Sequence, residues 1–148
     1  MEDLVPLLQL QMENGGEASL AVKGVSMMPM LISNRDRVWL KADCSQLKAG
    51  DVILYRRDNG HYVLHRIIKK GNPMICCGDN QWQKEQVHSQ QLIAVVTSFE
   101  RAGVRHQLAE KGYRCYTWAM VALFFLRRPY IALRRFAGRV LARRRSKS

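Results

Sequence analysis

Gly24-Val25-Ser26-Met27-Met28-Pro29 stands at the end of the alternating run Leu20-Ala21-Val22-Lys23. The alternation reads as the end of a β-strand, and the proline, which cannot donate to a ladder, stops regular pairing there. A serine placed where a strand breaks is held on a fixed turn with its hydroxyl free. That hydroxyl is a poor nucleophile at neutral pH and needs a base within reach. The chain offers one in Val63-Leu64-His65-Arg66-Ile67-Ile68. Ser-Met-Met-Pro alone more often marks an ordinary surface or turn serine, so its weight comes from the blocks that follow it.

Those blocks are Gly50-Asp51-Val52-Ile53-Leu54-Tyr55, then Tyr62 to Ile68, then Cys77-Gly78-Asp79-Asn80, then Leu92-Ile93-Ala94-Val95-Val96. Between the first two lies Asn59-Gly60, a strong hairpin signal, which makes the flanking strands antiparallel partners. Arg37-Val38-Trp39-Leu40-Lys41 reads as a further short strand and Met74-Ile75-Cys76-Cys77 as another. Residues 81–91 are polar and read as a loop, and a last hairpin is expected around Arg101-Ala102-Gly103. Ahead of all this, residues 2–11 combine acidic residues, Pro6 and an apolar run, the pattern of a short helix. The fold class expected is mainly β and antiparallel, with a short N-terminal helix and C-terminal amphipathic helices.

In order and rough spacing, from about Ala21 to Thr97, these blocks resemble the type I signal peptidases and the wider group of self-cleaving repressor proteases. The residue before Arg66 is His65 rather than lysine, so the chain looks like the Ser-His, endoplasmic-reticulum-type branch. The resemblance implies a serine endopeptidase with a signal-peptidase-like β-fold that cleaves leader or signal segments from precursor peptides. Ser26 would be the nucleophile and its backbone N–H the oxyanion donor, His65 the general base, and Asp79 the group orienting the imidazole, with Glu85 as a weaker alternative acid. Some relatives add a hydroxyl two residues before the serine; here that position is Gly24, so no side chain helps. Met27 and Met28 would line the substrate channel, or simply pack in the core. The substrate would add as a strand beside an exposed edge, with small residues preferred next to the cut. No metal or cofactor is implied.

The 148 residues suffice for one domain with a sizeable core, and 47% apolar with 24% charged residues is not a disordered composition. The net charge of +12 is uneven: residues 1–113 hold 14 Lys+Arg and all 12 Asp+Glu, whereas residues 114–148 hold 10 Lys+Arg and no acid. Two regions follow, a catalytic β-domain at 1–112 with its motif core at 21–97, and a basic amphipathic tail at 113–148. In the tail the apolar run 116–126 is well short of the roughly 20 residues needed to span a bilayer. Tyr130, Leu133, Ala137, Val140 and Leu141 then recur at helical spacing, with Arg134, Arg135, Arg139 and Arg143 elsewhere on the wheel. An in-plane helix on an anionic membrane surface needs this pattern, so that contact is favoured over nucleic acid as the tail's partner.

Cys44, Cys76, Cys77 and Cys115 have no metal-ligand spacing and read as reduced, small apolar fillers. No basic segment followed by an apolar run opens the chain, and the first helix is too short for the membrane anchor that signal peptidases normally carry. A cytoplasmic setting, peripheral on the inner face of the membrane, is the expectation. Two other readings stay open: an autoproteolytic repressor-type protease, and a non-catalytic β-domain whose basic tail binds membrane or nucleic acid.

Overall fold

Each strand pairing in the protein is antiparallel, and a single long strand organises them. The computed structural model describes residues 4–13, 15–127, 129–131 and 133. Helix α1 (Leu4–Glu13) leads to strands β1 (Ala18–Ala21), β2 (Arg37–Lys41), β3 (Val52–Arg56), β4 (Tyr62–Lys69), β5 (Met74–Cys77), β6 (Glu85–Val87), β7 (Leu92–Arg101) and β8 (Val104–Gln107). Helix α2 (Lys111–Ala122) and a 3-10 turn at Phe124–Leu126 follow. The sheet order is β1-β2-β7-β3-β4-β5-β6, with β8 also on β7. One edge of β7 carries β2; the other is shared by β3, which takes Ile53 against Val95, and by β8, which takes Ser98 against Gln107.

Two-residue periodicity sorts the side chains into two clusters. Val52 and Leu54 of β3 join Leu20, Val38, Leu40, Ala94 and Val96 in one, while Ile53 and Tyr55 join Ile67, Cys76 and Val87 in the other. A strand apolar on both faces belongs where both faces are covered, which is why β3 reads as an unbroken apolar run. Leu8 and Met12, one helical turn apart on α1, close the first cluster from outside.

Helix α1, strands β2 to β5 and the hairpin at 101–103 lie where the sequence predicts them. The hairpin turn uses Ala102 and Gly103, both at positive φ (52° and 82°), the arrangement that matches the natural twist of two paired strands. Residues 81–91 differ: Glu85–Val87 forms β6 against β5, and Ser89–Gln91 a 3-10 turn, where a plain loop was expected. A three-residue strand held by backbone bonds to an edge leaves no hydropathy signature, so the pattern gave no sign of it.

No helix among the described residues is long and apolar enough to cross a membrane. Tyr113 and Tyr116 of α2 pack on the first cluster. Trp118, Phe125, Tyr130 and Leu133 remain exposed at 68%, 71%, 63% and 67%. Ala137, Val140, Leu141 and the arginines at 134, 135, 139 and 143 lie outside the described residues.

Candidate active site

The turn carrying Ser26 is fixed from both ends. Val22 N–H donates to Asp36 O at 3.0 Å and Asn34 N–H to Val22 O at 2.9 Å. Within this clasp the Asp36 carboxylate, buried, accepts from Ile32 N–H at 2.8 Å and from the Arg35 guanidinium. Gly24 sits at φ 85°, where a side chain would be strained, and swings the chain out of β1. Asn80 N–H donates to Ser26 O at 2.7 Å, and Asn80 Nδ2 to Val25 O at 3.1 Å, so the 78–80 turn grips the serine turn directly. Among the described residues the Ser26 N–H has no acceptor and is free to donate.

His65 enters from β4, opposite Ile53, on the face of the second cluster. Its Nδ1 lies 3.0 Å from Tyr55 Oη, and Tyr55 donates its single hydroxyl proton to Glu85 Oε2 at 2.7 Å. The tautomer follows: with that proton committed, Tyr55 Oη can only accept from His65, so Nδ1 carries the hydrogen and Nε2 keeps its lone pair. Glu85 is held in turn by a two-pronged bond from Arg57, with Nε to Oε2 at 2.8 Å. Burial works against its ionisation, but the bonds from Arg57 and Tyr55 keep its carboxyl below the usual range. Burial raises the Tyr55 hydroxyl, and Glu85 raises it further, so it stays protonated.

Nε2 points the other way, toward the serine turn. A Cβ on Gly78 would lie 2.7 Å from Ser26 O and 3.1 Å from His65 Nε2, so the two groups meet across the space that glycine leaves empty. Nε2 is buried and makes no hydrogen bond in the structure, to Ser26 Oγ or to any other described group. The hydrogen bond a Ser-His pair would use is therefore not formed at rest; such bonds are often long or misaligned without substrate.

Asp79 is placed differently from expectation. Its carboxylate takes Arg66 Nε at 2.8 Å and Arg66 Nη2 at 2.7 Å, with Tyr116 Oη donating at 2.9 Å. The reason is the strand's period of two: Arg66 and His65 are neighbours on β4 and face opposite sides of the sheet, so the acid that binds one is turned away from the other. Glu85, acting through Tyr55, occupies the Nδ1 side of His65 instead. Met27 is buried in the first cluster and also lines the cavity beside Ser26; Met28 is half-buried and does not line it. Sequence reasoning missed Tyr55 and Arg57, and it gave Gly78 no part beyond membership of its block. The available signal for Tyr55 was its place near the end of β3, diagonal to His65 in the hairpin that Asn59-Gly60 closes.

The cavity, about 80 Å³, is walled by residues 20–24 on one side and Tyr62, Val63 and Leu64 on the other, with Ser26 and Met27 between. Among the described residues strand β1 pairs only with β2, and β5 joins β4 only from Arg66 onward, so two strand edges without a described partner border the serine. No family model, no curated sequence and no solved structure matches this chain.

Burial pushes the His65 imidazole down to about 4, against the pull of Glu85. The same imidazole unfolded titrates near 6.5, so between those values the unfolded chain binds a proton that the folded chain does not. Stability conferred by His65 is therefore full above about pH 6.5 and is lost as pH falls toward 4, by an amount on the order of 3 kcal/mol. Denaturant unfolding of wild type and His65→Gln across pH 4 to 7 checks this. The stability difference between them is expected to move against the wild type as pH falls, and a constant difference would show that the folded imidazole titrates normally.

Proposed function

We propose that this chain is a serine endopeptidase that removes leader or signal segments from precursor peptides, with Ser26 as nucleophile and His65 as general base. The observation that carries the reading is the His65 ring: neutral, locked with hydrogen on Nδ1, and presenting a buried, unengaged Nε2 to the Ser26 turn across Gly78. A purely structural histidine in an apolar core would be expected to satisfy both ring nitrogens.

A substrate strand laid between the open edges of β1 and β4 would satisfy their backbone groups and bring its scissile carbonyl to Ser26. The cavity there is small, about 80 Å³, which supports a preference for small residues next to the cut. Ser26 Oγ attacks the carbonyl carbon as His65 Nε2 takes its proton, and the Ser26 N–H donates to the oxyanion. Nε2 returns the proton to the leaving amine; water then attacks the acyl-enzyme with the same base assistance. The transient imidazolium is offset by Glu85, whose Oε1 lies 3.5 Å from Nδ1. A lysine base would need desolvation to become neutral, whereas His65 is neutral over the whole range above about pH 5. The exposed Trp118, Phe125, Tyr130 and Leu133 and the acid-free basic stretch that contains them support contact with an anionic membrane surface, where precursor leaders are presented.

The test is cleavage of a peptide library by the purified protein in the presence of anionic vesicles, with cut sites mapped by mass spectrometry. Cuts after small residues are expected, at a rate that is flat from about pH 5 to 8 and falls only near 4. Tyr55→Phe, which removes the Nδ1 partner while leaving Glu85 nearby, should lower kcat by roughly 10²-fold. No cleavage of any peptide, or an acid limb at 6 to 7 unmoved by Tyr55→Phe, would count against this arrangement of the base.

A further inference from the structure

Arg127 lies beyond α2, 101 residues after Ser26, yet it reaches the turn on which the proposed chemistry depends. It is only 6% exposed. Its Nη1 donates to Gly78 O at 3.0 Å and its Nη2 to Met120 O at 2.5 Å, and the guanidinium lies 4.8 Å over the Phe124 ring. Neutralising Asp79 does not require it: Arg66 already binds both Asp79 oxygens, and Arg127 stands 3.9 Å away. The cluster of Arg66, Asp79 and Arg127 thus holds one more cation than anion in a buried place, where an unbalanced charge is costly. Closing the end of α2 would be met by the Met120 bond alone. The Gly78 bond is the remaining one, and it falls on the residue whose missing side chain lets Ser26 O and His65 Nε2 approach.

We propose that Arg127 is a positioning residue of the Ser26-His65 site: by holding the Gly78 carbonyl it fixes the turn that sets the spacing between nucleophile and base. The inference rests on the peptidase reading. The 78–80 turn is tied to Ser26 through Asn80 and to β4 and α2 through the Asp79 side chain; Arg127 adds a hold on the Gly78 backbone itself, whose carbonyl otherwise accepts only from Gln81 N–H three residues on. The C-terminal segment is in this way part of the active site rather than an appendage to it.

The experiment compares full-length wild type, Arg127→Ala and Arg127→Lys in three measurements: the rate at which a fluorophosphonate probe labels Ser26, kcat and KM on a cleaved peptide, and the thermal midpoint. Loss of the clamp is expected to slow Ser26 labelling and kcat at least about 10-fold with KM changed less than about twofold, because a misplaced pair loses attack geometry rather than binding. Millimolar guanidinium ion should restore much of the labelling rate of Arg127→Ala. Wild-type rates in Arg127→Ala would overturn the proposal, and so would a loss that tracks the thermal midpoint and is not rescued by guanidinium. Should the alanine variant not fold, Arg127→Lys decides: a lysine keeps the charge but cannot bridge Gly78 O and Met120 O, so reduced kcat at unchanged KM supports the role and wild-type kcat overturns it. A wild type whose Ser26 takes no probe would overturn the peptidase reading and this role with it, whereas a labelled wild type with unaffected variants overturns the role alone.

Discussion

Ser26→Ala and His65→Ala are each expected to lower peptide cleavage by roughly 10⁴-fold or more, and the double variant is expected to be no worse than either single one. A nucleophile and its base act as one unit: without His65 the Ser26 hydroxyl keeps its proton at neutral pH, and without Ser26 the free Nε2 has no proton to take. Residual turnover would come from the Ser26 N–H and from the edges of β1 and β4, which alanine at position 26 leaves in place. The two variants should part company in stability. Ser26 is half-buried and its side chain makes no hydrogen bond with the described residues, so its loss costs little. His65 is fully buried against Tyr55, and alanine there leaves a void and deprives Tyr55 Oη of its donor. Initial rates on one peptide, read beside thermal midpoints, check this. Cleavage that survives Ser26→Ala, or single effects that multiply in the double variant, would remove the pair from the chemistry.

Asp79→Ala is expected to be the most destabilising single change, by about 3–5 kcal/mol, because it strands a fully buried Arg66. Arg66 has no access to water: it gives Nη1 to Gly50 O at 2.7 Å, to Tyr113 Oη at 3.2 Å and to Thr117 Oγ1 at 3.2 Å, Nε and Nη2 to Asp79, and Nη2 also to Met30 Sδ at 3.0 Å. Without the carboxylate, Arg66 and Arg127 would face each other across an uncompensated space. Desolvation works to lower the Arg66 pKa, but the Asp79 bonds outweigh it and hold the guanidinium charged. A thermal midpoint lower by roughly 10 °C should result for a chain of this length. Asp79→Asn retains the shape and loses the charge, so it should be destabilised as well while keeping the acid limb of cleavage near pH 4, since Asp79 makes no hydrogen bond to His65 and its charge acts on the imidazole less than burial, Glu85 and Arg57 do. An unchanged midpoint in Asp79→Ala would mean that the Arg66-Asp79 pair does not brace the sheet to α2; an acid limb displaced in Asp79→Asn would return Asp79 to the catalytic group.

Much of the sheet was open to reading in advance. Arg37–Lys41, Val52 to Tyr55 and Tyr62 to Ile68 alternate or run apolar over strand lengths, and Asn59-Gly60 joins two of them, so local chemistry alone names the strands and one pairing. The proposed nucleophile and base were named from residue blocks in the same way. The acid beside His65 was named only as the weaker alternative to Asp79, although the same rule of alternation bears on it: once Asp79 binds Arg66, the neighbouring His65 faces elsewhere. Glu85 could not be ranked above Asp79 because its position depends on β6, a strand of three residues that exists through backbone bonds to β5.

By itself the sequence determined the strands other than β6, the antiparallel hairpins, the break in pairing at Ser26 and the uneven charge, because each depends on residues within a few positions of one another. Only the tertiary structure decided that Tyr55 and Glu85 hold His65 while Arg66 holds Asp79. It alone decided that Gly78 is the gap between His65 and the Ser26 turn, and that Arg127 reaches back across 49 residues to that glycine. These are contacts between segments far apart in the chain, set by sheet order and by which face each strand turns inward. No local pattern of hydropathy or charge encodes either.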